Sequence, residues 1–75
     1  MRLWLKKLRE DKELTQQNVA DHLGVTKQYY QMIESGNRAK DLSTSIVMAL
    51  AALFNISAIE ILRQEQAYQK TLPND

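Results

Sequence analysis

Cysteine is absent from the 75 residues, so neither a disulfide framework nor a thiolate metal site is available. A reducing interior suits such a chain. Glycine occurs twice and proline once. With so few breakers, plentiful Leu, Ala, Gln, Glu and Lys, and scarce β-branched runs, an all-helical chain is expected. Long apolar runs are also missing: the longest, Ile46 to Phe54, falls far short of the ~20 residues of a membrane span. The opening Met1-Arg2-Leu3-Trp4-Leu5-Lys6-Lys7 is too short and too interrupted for a signal peptide. These absences set the expectation of a cytoplasmic protein with no membrane partner. The one histidine, His22, lies on the polar side of its helix and cannot build a metal site alone. No paired carboxylates sit in an apolar setting and no glycine-rich phosphate loop appears. The chain is therefore expected to be no enzyme, with no cofactor and no metal.

What is present is a folded domain's worth of apolar residues, 44% of the chain. One small domain is expected over residues 1–63, with 64–75 a C-terminal extension that either continues the last helix or frays. The net charge of +1 is unevenly spread. Residues 1–40 carry eight basic and five acidic side chains, whereas residues 41–75 carry two and four. The N-terminal half is the better candidate to face phosphates. Apolar spacing predicts a first helix from about Arg2 to Lys12, with Leu5 and Leu8 on one stripe and Leu14 beyond its end. Thr15 is placed to cap a second helix over Gln16 to Leu23. Gly24 stops it with a positive φ, and Thr26 caps a third helix running from Lys27 to about Ser35. After Gly36, a polar, basic loop from Asn37 to Leu42 leads to a strongly apolar fourth helix, about Ser43 to Phe54. Asn55 is expected to take the left-handed turn. Ser57-Ala58-Ile59-Glu60 has the form of a capping box for a fifth helix.

The informative stretch runs from Thr15 to Glu34. Two short helices joined by so tight a turn need a small residue where their backbones meet, and Ala20 supplies it. They need a glycine at the turn, which is Gly24. Apolar residues must pin both to a shared core, and Val19, Leu23, Val25, Tyr30 and Ile33 stand in register. Such a geometry leaves the second helix of the pair protruding, able to lie in a DNA major groove. At this point the sequence resembles the helix-turn-helix family of the lambda repressor and Cro. The resemblance rests on Leu5-Lys6, Leu8-Arg9, Leu14-Thr15-Gln16, Ala20, Leu23-Gly24-Val25-Thr26, Tyr30, Ile33-Glu34 and Gly36, and covers about residues 3–62. It implies a compact, all-α, five-helix fold with the motif at helices 2 and 3. It also implies a sequence-specific transcriptional regulator, read here as a repressor binding double-stranded DNA as a homodimer. The loop after Gly36 departs from the pattern: it is about two residues long in excess and has Lys40 near the usual proline.

The resemblance further implies an ion pair between Arg9 and Glu34 and a phosphate contact from Gln16. Residues turn ~100° apart around a helix, so with Tyr30 and Ile33 facing the core, Lys27, Gln28, Gln31 and Met32 are the base-facing candidates. Gln28 suits adenine and Lys27 suits guanine O6/N7, while Met32 suits a thymine methyl. Candidates for the DNA backbone are Gln16, Gln17, Thr26, Tyr29, Asn37, Arg38 and Lys40, drawn from helix N-termini and the following loop. Trp4, the fifth helix and the extension are candidate partner surfaces, with Tyr68 and Leu72 either packing on a second subunit or frayed. An alternative is an antitoxin or other protein-interaction module, whose C-terminal extension binds a protein partner.

Overall fold

The structure is a computed structural model that describes residues 1–36 and 42–71. It consists of α1 (Leu3–Asp11), α2 (Gln16–Leu23), α3 (Lys27–Ser35), α4 (Thr44–Phe54) and α5 (Ala58–Lys70), with no strand among the described residues. The all-α, five-helix expectation holds. The expected loop residues Asn37, Arg38 and Lys40, and Leu72 and Pro73 of the extension, lie outside the described residues.

Hydroxyl caps set the helix starts. The side chains of Thr15, Thr26, Ser43 and Ser57 each accept from the backbone N–H three residues on, satisfying a donor the helix leaves free. At α2 the box is closed by an unforeseen residue: Asn18 Oδ1 accepts from the Thr15 N–H at 3.0 Å. At α5 the expected box is half made. Ser57 Oγ accepts from the Glu60 N–H at 3.1 Å, but the Glu60 carboxylate accepts from Gln64 Nε2 one turn along instead. Left-handed residues set the stops, with Gly24 at φ +73°, Gly36 at φ +74° and Asn55 at φ +55°. Glu13, between α1 and α2, also takes φ +56°, which nothing in its residue type announces.

The core forms where α2, α3 and α4 meet, closed by α1 and α5. Leu5, Val19, Ala20, Tyr30, Leu50 and Ile61 are wholly buried, joined by Ile33, Val47 and Phe54. Burying each large aliphatic or aromatic chain of this kind contributes about 1.5–3 kcal/mol. The α2–α3 turn is tight: Val25 N–H donates to the Ala20 carbonyl at 3.0 Å. A larger side chain at position 20 would hold the two helices apart. No single helix among the described residues is long and apolar enough to cross a membrane.

Three residues sit deeper in the fold than their sequence positions suggest. Arg2, expected in the charged first turn, is the N-cap of α1 and is entirely buried. Trp4, considered as a partner surface, packs partly buried against the core. Tyr68, considered as a contact to a second subunit, turns inward: the Arg2 guanidinium lies 5.0 Å from its ring centroid, and its hydroxyl occupies the space where a Cβ on Gly36 would stand. The ring follows the buried cation, whose attraction to an aromatic face grows as water is excluded.

Candidate nucleic-acid interface

The two faces of α3 have opposite environments. Tyr30, Ile33 and Glu34 are buried, while Lys27, Gln28, Tyr29 and Gln31 are exposed. Met32 lies between, half-buried at the margin. The helix is thus held along one side and bare along the other.

The holding is polar as well as apolar. Glu34 is buried in α3 and needs partners for its charge. Arg9 supplies a two-pronged bond, with Nε 2.9 Å from Oε2 and Nη2 3.1 Å from Oε1. Tyr30 Oη donates to Oε2 at 2.6 Å and Gln16 Nε2 donates to Oε1 at 3.4 Å. Arg9 also reaches the Leu14 carbonyl at 2.9 Å, so α1, the turn before α2, and α3 are fastened at one point. Burial pushes the Glu34 carboxyl up, but the hydrogen bonds from Arg9 and Tyr30, with the Arg9 charge and Gln16, outweigh it and leave it below the usual carboxylate range. The Arg9 guanidinium is shifted up, chiefly by its hydrogen bond to Glu34. Burial, then the bond to Glu34, drives the Tyr30 hydroxyl far above its ordinary value, so it stays a donor.

This network reaches the exposed face. Gln31 Nε2 donates to Gln16 Oε1 at 3.1 Å, and Gln16 passes the link on to Glu34. Gln31 and Gln16, assigned separately to bases and backbone in the sequence reading, are therefore coupled in space. Gln17 bonds Asp21 Oδ1 at 2.7 Å, one turn along α2. Thr26 Oγ1 accepts from the Tyr29 N–H at 3.1 Å as the α3 cap. Gln16, Gln17 and Lys27 line one open groove of about 580 Å³ together with Lys6, Arg9 and Glu34. Lys6 was not singled out from sequence. Its signal was its place three residues before Arg9, which puts both on one side of α1. Asn37, Arg38 and Lys40 fall outside the described residues.

A buttressed helix with one bare polar face, set after a tight glycine turn, is the geometry of the motif. The helix-turn-helix family model matches residues 5–61. Two curated proteins of Bacillus subtilis (strain 168) are similar. One is the uncharacterized HTH-type transcriptional regulator YqaE, 41% identical over 61 residues, covering 81% of this chain and 51% of that protein. The other is the uncharacterized HTH-type transcriptional regulator YqaF, 44% identical over 45 residues, covering 60% of this chain and 59% of that protein. The chain spans only a little more than half the length of either relative. On the match of helices, turn and buttress together, the chain belongs to the helix-turn-helix family of the lambda repressor and Cro.

Proposed function

We propose that this chain is a sequence-specific DNA-binding transcriptional repressor that inserts α3 into the major groove of an operator half-site. The carrying observation is the division of α3 into a fastened face and an exposed one bearing Lys27, Gln28 and Gln31. Gln28 matches adenine, Lys27 matches guanine, and Met32 at the margin touches a thymine methyl. Gln16, Gln17, Thr26, Tyr29, Asn37, Arg38 and Lys40 hold the phosphates, with Lys6 added by the groove it shares with Gln16. Residues 1–40, with their excess of basic side chains, face the duplex. It acts in the cytoplasm and works by occupying its operator, without a catalytic step.

Homodimerisation supports operator recognition, because two-fold-related half-sites call for two α3 helices. Ile59 and Leu62 support a partner on α5: they are 63% and 53% exposed, three residues apart on its outer side. The test is a mobility-shift titration on duplexes from upstream of the gene. Binding that selects one sequence and weakens with salt is expected. Absence of selective binding at ~0.1 M salt overturns the repressor reading and leaves the protein-interaction module.

A further inference from the structure

We propose that Arg2 is a positioning residue for α3, joining the C-terminal turns of α5 to the end of the DNA-facing helix so that the two move as a unit. This rests on the reading of α3 as the DNA-facing helix. Its basis is the set of bonds made by one buried side chain. Arg2 Nε and Nη2 grip the two oxygens of Glu65 at 2.8 and 2.7 Å. Its Nη1 donates to the Ile33 carbonyl at 2.7 Å, and its backbone N–H donates to the Glu34 carbonyl at 2.7 Å. Those carbonyls belong to the last turn of α3, where a helix runs short of N–H donors of its own, the Gly36 N–H alone reaching Ile33 O at 3.2 Å, and where it carries partial negative charge. A buried cation there satisfies the dipole and the hydrogen bonds together. From the other side Tyr68 covers the guanidinium and fills the space beside Gly36, the α3 cap. Gln69 Nε2 steadies the Glu65 carboxylate at 2.9 Å.

The arrangement makes α3 answer to α5. If Glu65 is withdrawn, Arg2 is left charged and buried, which is costly, so it leaves its site or the site opens. Either course takes the guanidinium from the Ile33 carbonyl, and opening of the site also strains the Arg2 N–H bond to the Glu34 carbonyl. Glu34 is also the hub that holds Tyr30, Arg9 and Gln16, so the disturbance reaches Gln16 and, through it, Gln31.

Glu65→Gln tests this, read by amide hydrogen exchange and by affinity for the preferred duplex against a scrambled one. Expected are losses of about tenfold in protection at residues 33–36 and 66–70, with α2 and α4 unchanged. Affinity for the preferred duplex falls about tenfold, while affinity for the scrambled duplex holds. Loss confined to α5 overturns the proposal, and so does an equal loss in every helix. If Glu65→Gln fails to fold, Arg2→Met with Glu65→Met removes both charges at once and still deletes the donor to Ile33. Lost protection at residues 33–36 in that variant supports the link, and retained protection overturns it. A wild-type chain that prefers no duplex defeats the DNA reading alone, because the exchange comparison needs no DNA.

Discussion

Glu34 collects the buried polar chemistry of the motif, so its charge state is a stability switch. Its carboxyl is held below the usual carboxylate range in the folded chain. A group depressed by folding stabilises fully above its unfolded value, and that contribution is lost as pH falls through the folded one. Stability measured by urea unfolding is therefore expected to hold near neutral pH and to decline as pH drops into and below the carboxylate range. Glu34→Gln should flatten that decline, and an unchanged pH slope in the variant would discount the hub. Removing the carboxylate outright with Glu34→Ala strands Arg9 and should cost about 3 kcal/mol. On the DNA side, Gln28→Ala should lower discrimination by about 1–3 kcal/mol at one base pair only. Arg38→Ala should weaken all duplexes alike and reduce the salt slope by about one. An Arg38→Ala effect on sequence preference alone would reverse those two roles. Much of this site was legible: the motif register placed Arg9 opposite Glu34, and helical spacing separated Tyr30 and Ile33 from Gln28. Arg2 was not legible. An arginine in a charged first turn looks solvated, and its partner Glu65 stands 63 positions away.

At the scale of the element, short local rules carried the boundaries, because a cap is a hydroxyl, a glycine or an asparagine acting within three residues. Thr15, Thr26, Ser57, Gly24 and Asn55 were all readable in that way. The exceptions are instructive. Asn18 closes a box that the usual Glu or Gln pattern does not cover, and Glu60 leaves its box for Gln64 because a side-chain partner one turn away competes with the backbone. Glu13 adopts its left-handed turn as the residue after the α1 cap: its N–H donates to the Glu10 carbonyl and the Leu14 N–H to the Arg9 carbonyl, the helix ending that glycine usually makes. Glu13→Gly should then stabilise the domain by about 0.5–1 kcal/mol, since glycine takes that φ without the Cβ penalty. A melting temperature lowered by the substitution would show that Glu13 makes up its strain elsewhere. In contrast, Ala20→Leu drives a larger side chain into the wholly buried α2–α3 contact and should cost about 1–3 kcal/mol. Full stability in that variant would contradict the closeness of the two helices.

At the largest scale, this chain carries one α3, and the proposed operator reading needs two. We propose the outer side of α5 as the surface that meets this need. Ile59 and Leu62 are exposed there beside Arg63 and Gln66, in a shallow groove of about 400 Å³. Arg63 and Glu60 lie one turn apart on the same helix and pair at only 3.9 Å, largely exposed. Such a surface pair is worth little within one chain, so Arg63, which lines the groove, remains available to a carboxylate of a second copy. Tyr68 does not belong to this face, since it is committed inward to Arg2. Ile59→Glu combined with Leu62→Glu should therefore leave the helical content intact while converting a dimer to a monomer in sedimentation equilibrium. The same variant should lose affinity for a two-half-site operator but keep that for a single half-site, because α3 is untouched. If sedimentation and operator affinity both stay as in the parent chain, the proposal that α5 carries a dimer surface is overturned.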